Sequence, residues 1–181
     1  MSILAQEKFY TTDDIYALPD GKRAELIDGQ IYYMAPPTRK HQRIVGEMFA
    51  TIREYINNNQ GICEVNIAPF AVFLNKDDTT YVEPDICVIC DRDKLTDRGC
   101  SGAPDWIIEI VSPGSRPMDY YTKLFKYQTA GVQEYWIVDH ERNLVTVYDF
   151  QNDNAANYIF SDNIPVRIYP GFFINLSTLN I

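Results

Sequence analysis

Residues 82–89 read VEPDICVI and residues 105–111 read DWIIEIV. Both are apolar β-forming runs, and two carboxylates stand out because each interrupts one of them, Asp85 in the first and Glu109 in the second. Asp and Glu are almost never fully buried without a partner. An unpaired buried carboxylate must find a cation or take up a proton. Side chains alternate across a strand, so Asp85 shares a face with Cys87 and Ile89, and Glu109 with Ile107 and Val111. On neighbouring strands the two carboxylates converge on one cleft. Converging carboxylates make an oxygen-rich site for a hard cation such as Mg²⁺ or Mn²⁺. The plainer reading is a pair of strand-end carboxylates bound to backbone N–H groups.

Further elements are expected on both sides of these runs. TTDDIYALPDG (11–21) predicts a short helix capped by Thr11 or Thr12 and stopped at Pro19–Gly21. AELIDGQIYYM (24–34) predicts two strands joined by an Asp28-Gly29 turn. Thr38 caps a predicted helix over 39–58, whose stripe is Ile44, Val45, Met48, Phe49, Ile52, Tyr55 and Ile56. Strands are expected at 63–74, 81–90 and 105–111, with a bulge or edge at Pro69 and a polar loop over 91–104. A helix over 118–130 ends at Gly131. Two strands follow, EYWIVD and NLVTVYDF, then short edge strands near 158–160 and 166–169. The order predicts an α+β fold, a mixed β-sheet flanked by helices, in a single domain spanning 1–181.

In the helix after Glu109, Asp119, Lys123 and Tyr127 are spaced i, i+4, i+8 and share a face. A lysine on the inner side of that helix reaches the carboxylate cleft, where it would orient water and neutralise charge growing on a phosphate. The alternative is a surface Asp119–Lys123 pair. Lys126 lies on a different face and is the weaker candidate.

The formal net charge of −9 argues against broad attraction to nucleic acid, although Arg39, Lys40 and Arg43 cluster at one helix start. No run of 18 apolar residues is present, and Met1–Tyr10 lacks the pattern of a secretory leader, so a cytoplasmic protein without a membrane span is expected. Cys87 and Cys90 have CxxC spacing. On one strand they would point to opposite faces, which favours buried structural cysteine over a zinc site.

Four stretches together carry a resemblance: AELIDGQIYYMAPPTRKHQRI (24–44), VEPDICVI (82–89), PDWIIEIVSPGS (104–115) and DYYTKLFKYQTAGVQEYWIVD (119–139). Over roughly residues 10–148 the chain resembles the Uma-two family of restriction-endonuclease-like proteins, within the PD-(D/E)XK nuclease superfamily. The resemblance implies a restriction-endonuclease-like core and metal-dependent DNA endonuclease activity. It makes Asp85 the aspartate of the PD element and Glu109 the acidic residue of the (D/E)XK element, both binding Mg²⁺ or Mn²⁺ with the backbone carbonyl after Glu109. Val111 stands where that element has its lysine, and Lys123 matches the place to which the family moves it. Glu25 and His41 match further family positions as supporting residues. A third carboxylate or a pairing role is open for Glu25, and a phosphate contact, a helix-start role or a satisfied polar group for His41. A homodimer is expected, since one site cuts one strand and a duplex has two. The alternatives are a catalytically weak nuclease-fold binding module and a transposon-associated accessory protein.

Overall fold

The computed structural model describes residues 8–75 and 77–181, and most of the Met1–Tyr10 stretch read above lies outside them. Helix α1 (Thr12–Tyr16) starts where the Asp14 carboxylate accepts the Thr11 N–H at 2.9 Å. Strands β1 (Ala24–Ile27) and β2 (Gln30–Tyr33) form the expected hairpin, with Asp28 and Gly29 both at positive φ (50° and 73°). Such a turn matches the right-handed twist of the strands it joins. Helix α2 (Arg39–Asn58) is capped by Thr38, whose hydroxyl accepts the His41 N–H. Its stripe of Ile44, Val45, Met48, Ile52 and Ile56 is buried.

Two of the three central strand expectations are corrected, and the third, 105–111, is met by a strand over Trp106–Ile110. Residues 63–74 form β3 (Glu64–Ile67) and β4 (Val72–Phe73), separated at a cis Ala68–Pro69 bond. Residues 81–90 form β5 (Tyr81–Val82) and β6 (Ile86–Ile89), which belong to different sheets. Pro84 has no N–H for a ladder, so the chain leaves one sheet at Val82 and enters the other at Ile86. Part of the expected polar loop is a small hairpin, β7 (Leu95–Thr96) and β8 (Gly99–Ser101). Gly99 is required there: its φ is +130°, and a Cβ would collide with the Ala71 carbonyl. Then come β9 (Trp106–Ile110), a π-helical segment (Met118–Lys123), α3 (Leu124–Ala130), β10 (Glu134–Asp139), β11 (Leu144–Asp149) and β12 (Asn154–Ile159). The expected strand at 166–169 is absent; β13 (Ile164–Pro165) and β14 (Phe173–Ile174) pair instead.

Two six-stranded mixed sheets result, ordered β2-β1-β5-β4-β8-β7 and β12-β11-β10-β9-β6-β3. Parallel pairing occurs at β4–β8 in the first sheet and β9–β10 in the second. The second sheet is buried on both faces. One face packs Val88, Trp106, Ile108 and Trp136 against α2 and the β13–β14 segment. The other packs Cys87, Ile107, Tyr135 and Ile137 against the first sheet and against Tyr127 of α3.

Cys90 is not a free buried thiol. The strand register sets Glu64 opposite Ile89, and one step further Cys63 and Cys90 form a disulfide. Cys87 and Cys100 are free and buried. Closing a loop of this length is worth about 3–4 kcal/mol in the chain-entropy model. Thiol titration of the oxidised, denatured protein should therefore count the two free thiols of Cys87 and Cys100. A count of four would remove the cross-link.

Candidate functional site

Asp85 and Glu109 face each other one step beyond the Ile86–Ile108 pair. They interlock through the backbone. The Ile110 N–H donates to Asp85 Oδ2 at 2.8 Å, and the Asp85 N–H reaches Glu109 Oε2 at 3.4 Å. The reading as strand-end carboxylates on backbone N–H groups is thus part of the arrangement. It leaves charge unbalanced, and other elements supply the rest.

Lys123 supplies the positive charge. Its ammonium lies 2.9 Å from Glu25 Oε2 and 3.0 Å from Glu109 Oε1, with Asp119 Oδ1 at 3.9 Å. Lys123 and Asp119 are both buried, which overturns the alternative of a surface pair. Glu25 comes from the first sheet and Glu109 from the second, so Lys123 joins the layers. The Tyr127 hydroxyl donates to Glu109 Oε1 at 2.7 Å. His41 Nε2 lies 3.1 Å from Asp85 Oδ2, and the Ile110 carbonyl lies beside the ring. Lys126 is elsewhere: it ties α3 to Asp28 in the β1–β2 turn.

The local backbone explains how one short segment delivers Asp119 and Lys123, with Tyr127 following on α3. Residues 118–123 wind as a π-helix, a form concentrated at functional sites. The Ser115 carbonyl accepts the Asp119 N–H at 3.0 Å, and the Asp119 carbonyl accepts the Tyr135 hydroxyl at 3.1 Å. The SPGS loop therefore acts through the segment's first turn.

The electrostatics follow from too many carboxylates around one ammonium. Burial pushes Glu109 up to about 8; Lys123 pulls against this, and Asp85, Asp119 and Glu25 add to it. Burial likewise raises Asp119 to about 6, against Lys123 and the Ser115 hydroxyl. Lys123 is pulled down by burial and pushed further up by Glu109, Glu25 and Asp119, so it stays charged. For His41, burial works against the charged form, but the Asp85 hydrogen bond and charge win and raise it. The cluster relieves its surplus negative charge by holding a proton on Glu109.

The family model described as "Putative restriction endonuclease" (Uma2) matches residues 11–177. The chain belongs to the Uma2 family. A solved structure of a "putative nuclease belonging to DUF820" from Anabaena variabilis superposes with a TM-score of 0.76 at 24% identity, covering 93% of this chain and 96% of that one. At that identity the likeness concerns the fold, which is the nuclease-like α+β fold expected from the sequence. No curated protein matches the chain.

All five positions matched to the Uma2 pattern by sequence, Glu25, His41, Asp85, Glu109 and Lys123, lie in one connected cluster. Sequence reading gave no role to Glu83, whose backbone N–H donates to Glu25 Oε1 at 3.0 Å while its carboxylate binds Arg23 and Tyr81. Its position two residues before Asp85 was the available signal. Asp119 and Tyr127 were placed on the right face without their partners being seen.

The donor set also bears on a metal. Asp85 spends Oδ2 on Ile110 and His41, and Glu109 spends Oε1 on Lys123 and Tyr127. Asp85 Oδ1 and the loosely held Glu109 Oε2 are left over. Among the described residues no group of three or more His, Cys, Asp or Glu is arranged to hold a metal ion. That excludes a ready-made protein cage. It fits Mg²⁺, which keeps several waters and is typically bound through one or two carboxylates.

Proposed function

We propose that this Uma2 protein is a divalent-metal-dependent DNA endonuclease that hydrolyses phosphodiester bonds, with Mg²⁺ or Mn²⁺ held by Asp85, Glu109 and the Ile110 carbonyl. The observation that carries the reading is the meeting of Asp85, Glu109 and the Lys123 ammonium in one cluster. When bound, such an ion polarises the phosphate and lowers the pKa of a water nucleophile. Lys123 has three N–H donors and spends two on Glu25 and Glu109. The third is available to a phosphoryl oxygen or to the attacking water. Its fixed charge stabilises the negative charge that grows as phosphorus is attacked in line. Tyr127 and Glu25 hold Glu109 and Lys123 in place, and His41 holds Asp85. We further propose a single domain, a homodimer for cutting both strands, and a cytoplasmic location. In that compartment Cys63 and Cys90 would be kept as a dithiol.

A second reading is a nuclease-fold module that binds DNA without cutting it. The depth of Lys123, whose side chain is 7% exposed, favours it. An assay on mixed single-stranded, duplex and flapped DNA with Mg²⁺ or Mn²⁺ separates the two. Cleavage that Asp85→Ala removes is the expected result; binding without cleavage selects the module. Saturating metal should also raise the melting temperature, by the equivalent of about 2.7 kcal/mol at a hundredfold excess over Kd. Asp85→Ala should erase that rise. An undiminished rise in the variant would disprove the assigned ligands.

A further inference from the structure

A second feature lies on the same sheet face as the carboxylates. Register carries Glu109 across to Ile137 on β10, to Thr146 on β11 and to Asn157 on β12. At about 4.8 Å per strand, Asn157 is roughly 14 Å from Glu109. There the sheet face and the Tyr120 ring border an open hollow of about 300 Å³. Tyr120 and Tyr148 contribute aromatic walls, and Thr146, Asn157 and Ala155 line the sheet side. That volume is at the lower end of ligand pockets, ~300–1,000 Å³, and suits one ring system.

Its chemistry is specific. The Thr146 hydroxyl donates to Asn157 Oδ1 at 2.9 Å, which fixes the amide and leaves its –NH₂ as a donor. The Tyr120 hydroxyl is sheltered and lies beside the Thr146 hydroxyl. Tyr148 is stacked on Tyr135 and on Phe150, so its ring is held in a fixed plane. Arg116, held on Asp139 and Glu141, and Arg142, held on Asp139, lie near Tyr120. The hollow thus combines aromatic faces, an amide donor suited to a base carbonyl or ring nitrogen, and guanidinium charge beside it.

We propose that this hollow receives one unstacked nucleobase of the DNA strand being cut, a few nucleotides from the scissile bond. The proposal rests on the nuclease reading and narrows its substrate class. Stacked duplex DNA offers no free base, so the preferred substrate carries an unpaired stretch, such as single strand, flap or bulge.

The test is fluorescence anisotropy in EDTA with a labelled 12-nucleotide oligothymidylate, the same oligomer carrying one abasic position moved along it, and a duplex. The wild-type chain should bind single strand over duplex, and one abasic position should weaken binding roughly tenfold. Ala155→Phe, which fills the hollow from an exposed strand position, should weaken binding by a similar factor and erase the abasic sensitivity. Asn157→Ala should weaken binding less and gives the same readout if the larger side chain disturbs folding. If both variants keep wild-type affinity and the wild-type abasic profile while DNA cleavage proceeds, the hollow is not a base site and the nuclease reading stands. If the wild-type chain neither binds nor cuts any DNA with Mg²⁺ or Mn²⁺, both fall.

Discussion

Lys123→Met should lose roughly 10²–10³-fold in cleavage rate, the usual cost of removing a fixed electrostatic stabiliser. It should also melt well below the wild type. The ammonium sits among Glu25, Glu109 and Asp119, all buried. Removing it leaves uncompensated carboxylates in the interior, and breaking a buried pair from one side costs about 3–5 kcal/mol. For a chain of this size that is a drop of roughly 6–20 °C. Protonation of Glu109, already pushed up to about 8 by burial, would soften the loss. Saturating Mg²⁺ should restore part of the stability and none of the rate, because the ion replaces charge and not the N–H donor. Lys126→Met is the control. Its ion pair with Asp28 is on the surface, where such contacts contribute about 0–1 kcal/mol. A Lys123→Met protein that melts and cuts like the wild type would end the assignment.

Glu134→Ala should be nearly as damaging to the fold while leaving the site's own groups untouched. Glu134 is fully buried at the start of β10. Its Oε1 accepts the Trp136 indole N–H at 2.6 Å, and its Oε2 accepts the backbone N–H groups of Arg167 and Ile168 at 2.8 and 3.0 Å. Burial raises its pKa, and these three donors oppose the rise. Truncation orphans all three donors, each costing about 1–3 kcal/mol. With some relaxation the total is about 4 kcal/mol, or roughly 8–16 °C. The loss has a local signature: amide exchange should accelerate first at Arg167 and Ile168. Glu134→Gln keeps one acceptor oxygen and should lose less. A Glu134→Ala protein within about 1 kcal/mol of the wild type would contradict the account.

The parts of this molecule that sequence revealed are those fixed by local chemistry. Asp28-Gly29 names its own turn, Thr38 its own cap, and Gly131, at φ 96°, its own helix end. Asp85 and Glu109 were visible because each breaks an apolar run. The parts that stayed hidden depend on partners distant in sequence. Nothing around Pro84 says that the chain changes sheets there; only the separate pairing of Val82 with β4 and of Ile86 with β9 shows it. Cys63 finds Cys90 through the register of β3 on β6. The π turn was invisible because helical spacing arguments assume a 3.6-residue period. Asp119, Lys123 and Tyr127 turn inward together all the same, because Glu109 and Tyr135 draw them there. Glu134 looked like the polar first residue of a strand until Arg167 and Ile168 folded back onto it.

Lys123 fastens a carboxylate of each sheet, and that sets a timetable for synthesis. The chain leaves the ribosome from its N-terminus, so Glu25 emerges early, Asp85 and Glu109 follow, and the lysine comes last of the four. Until residue 123 is clear of the exit tunnel, the carboxylates have no common cation and the two layers have no clasp between them. A translation product that ends between residues 119 and 123 carries every acidic residue of the cluster and lacks its lysine. The molecule's order of appearance thus keeps the cluster unassembled until Lys123 itself has emerged.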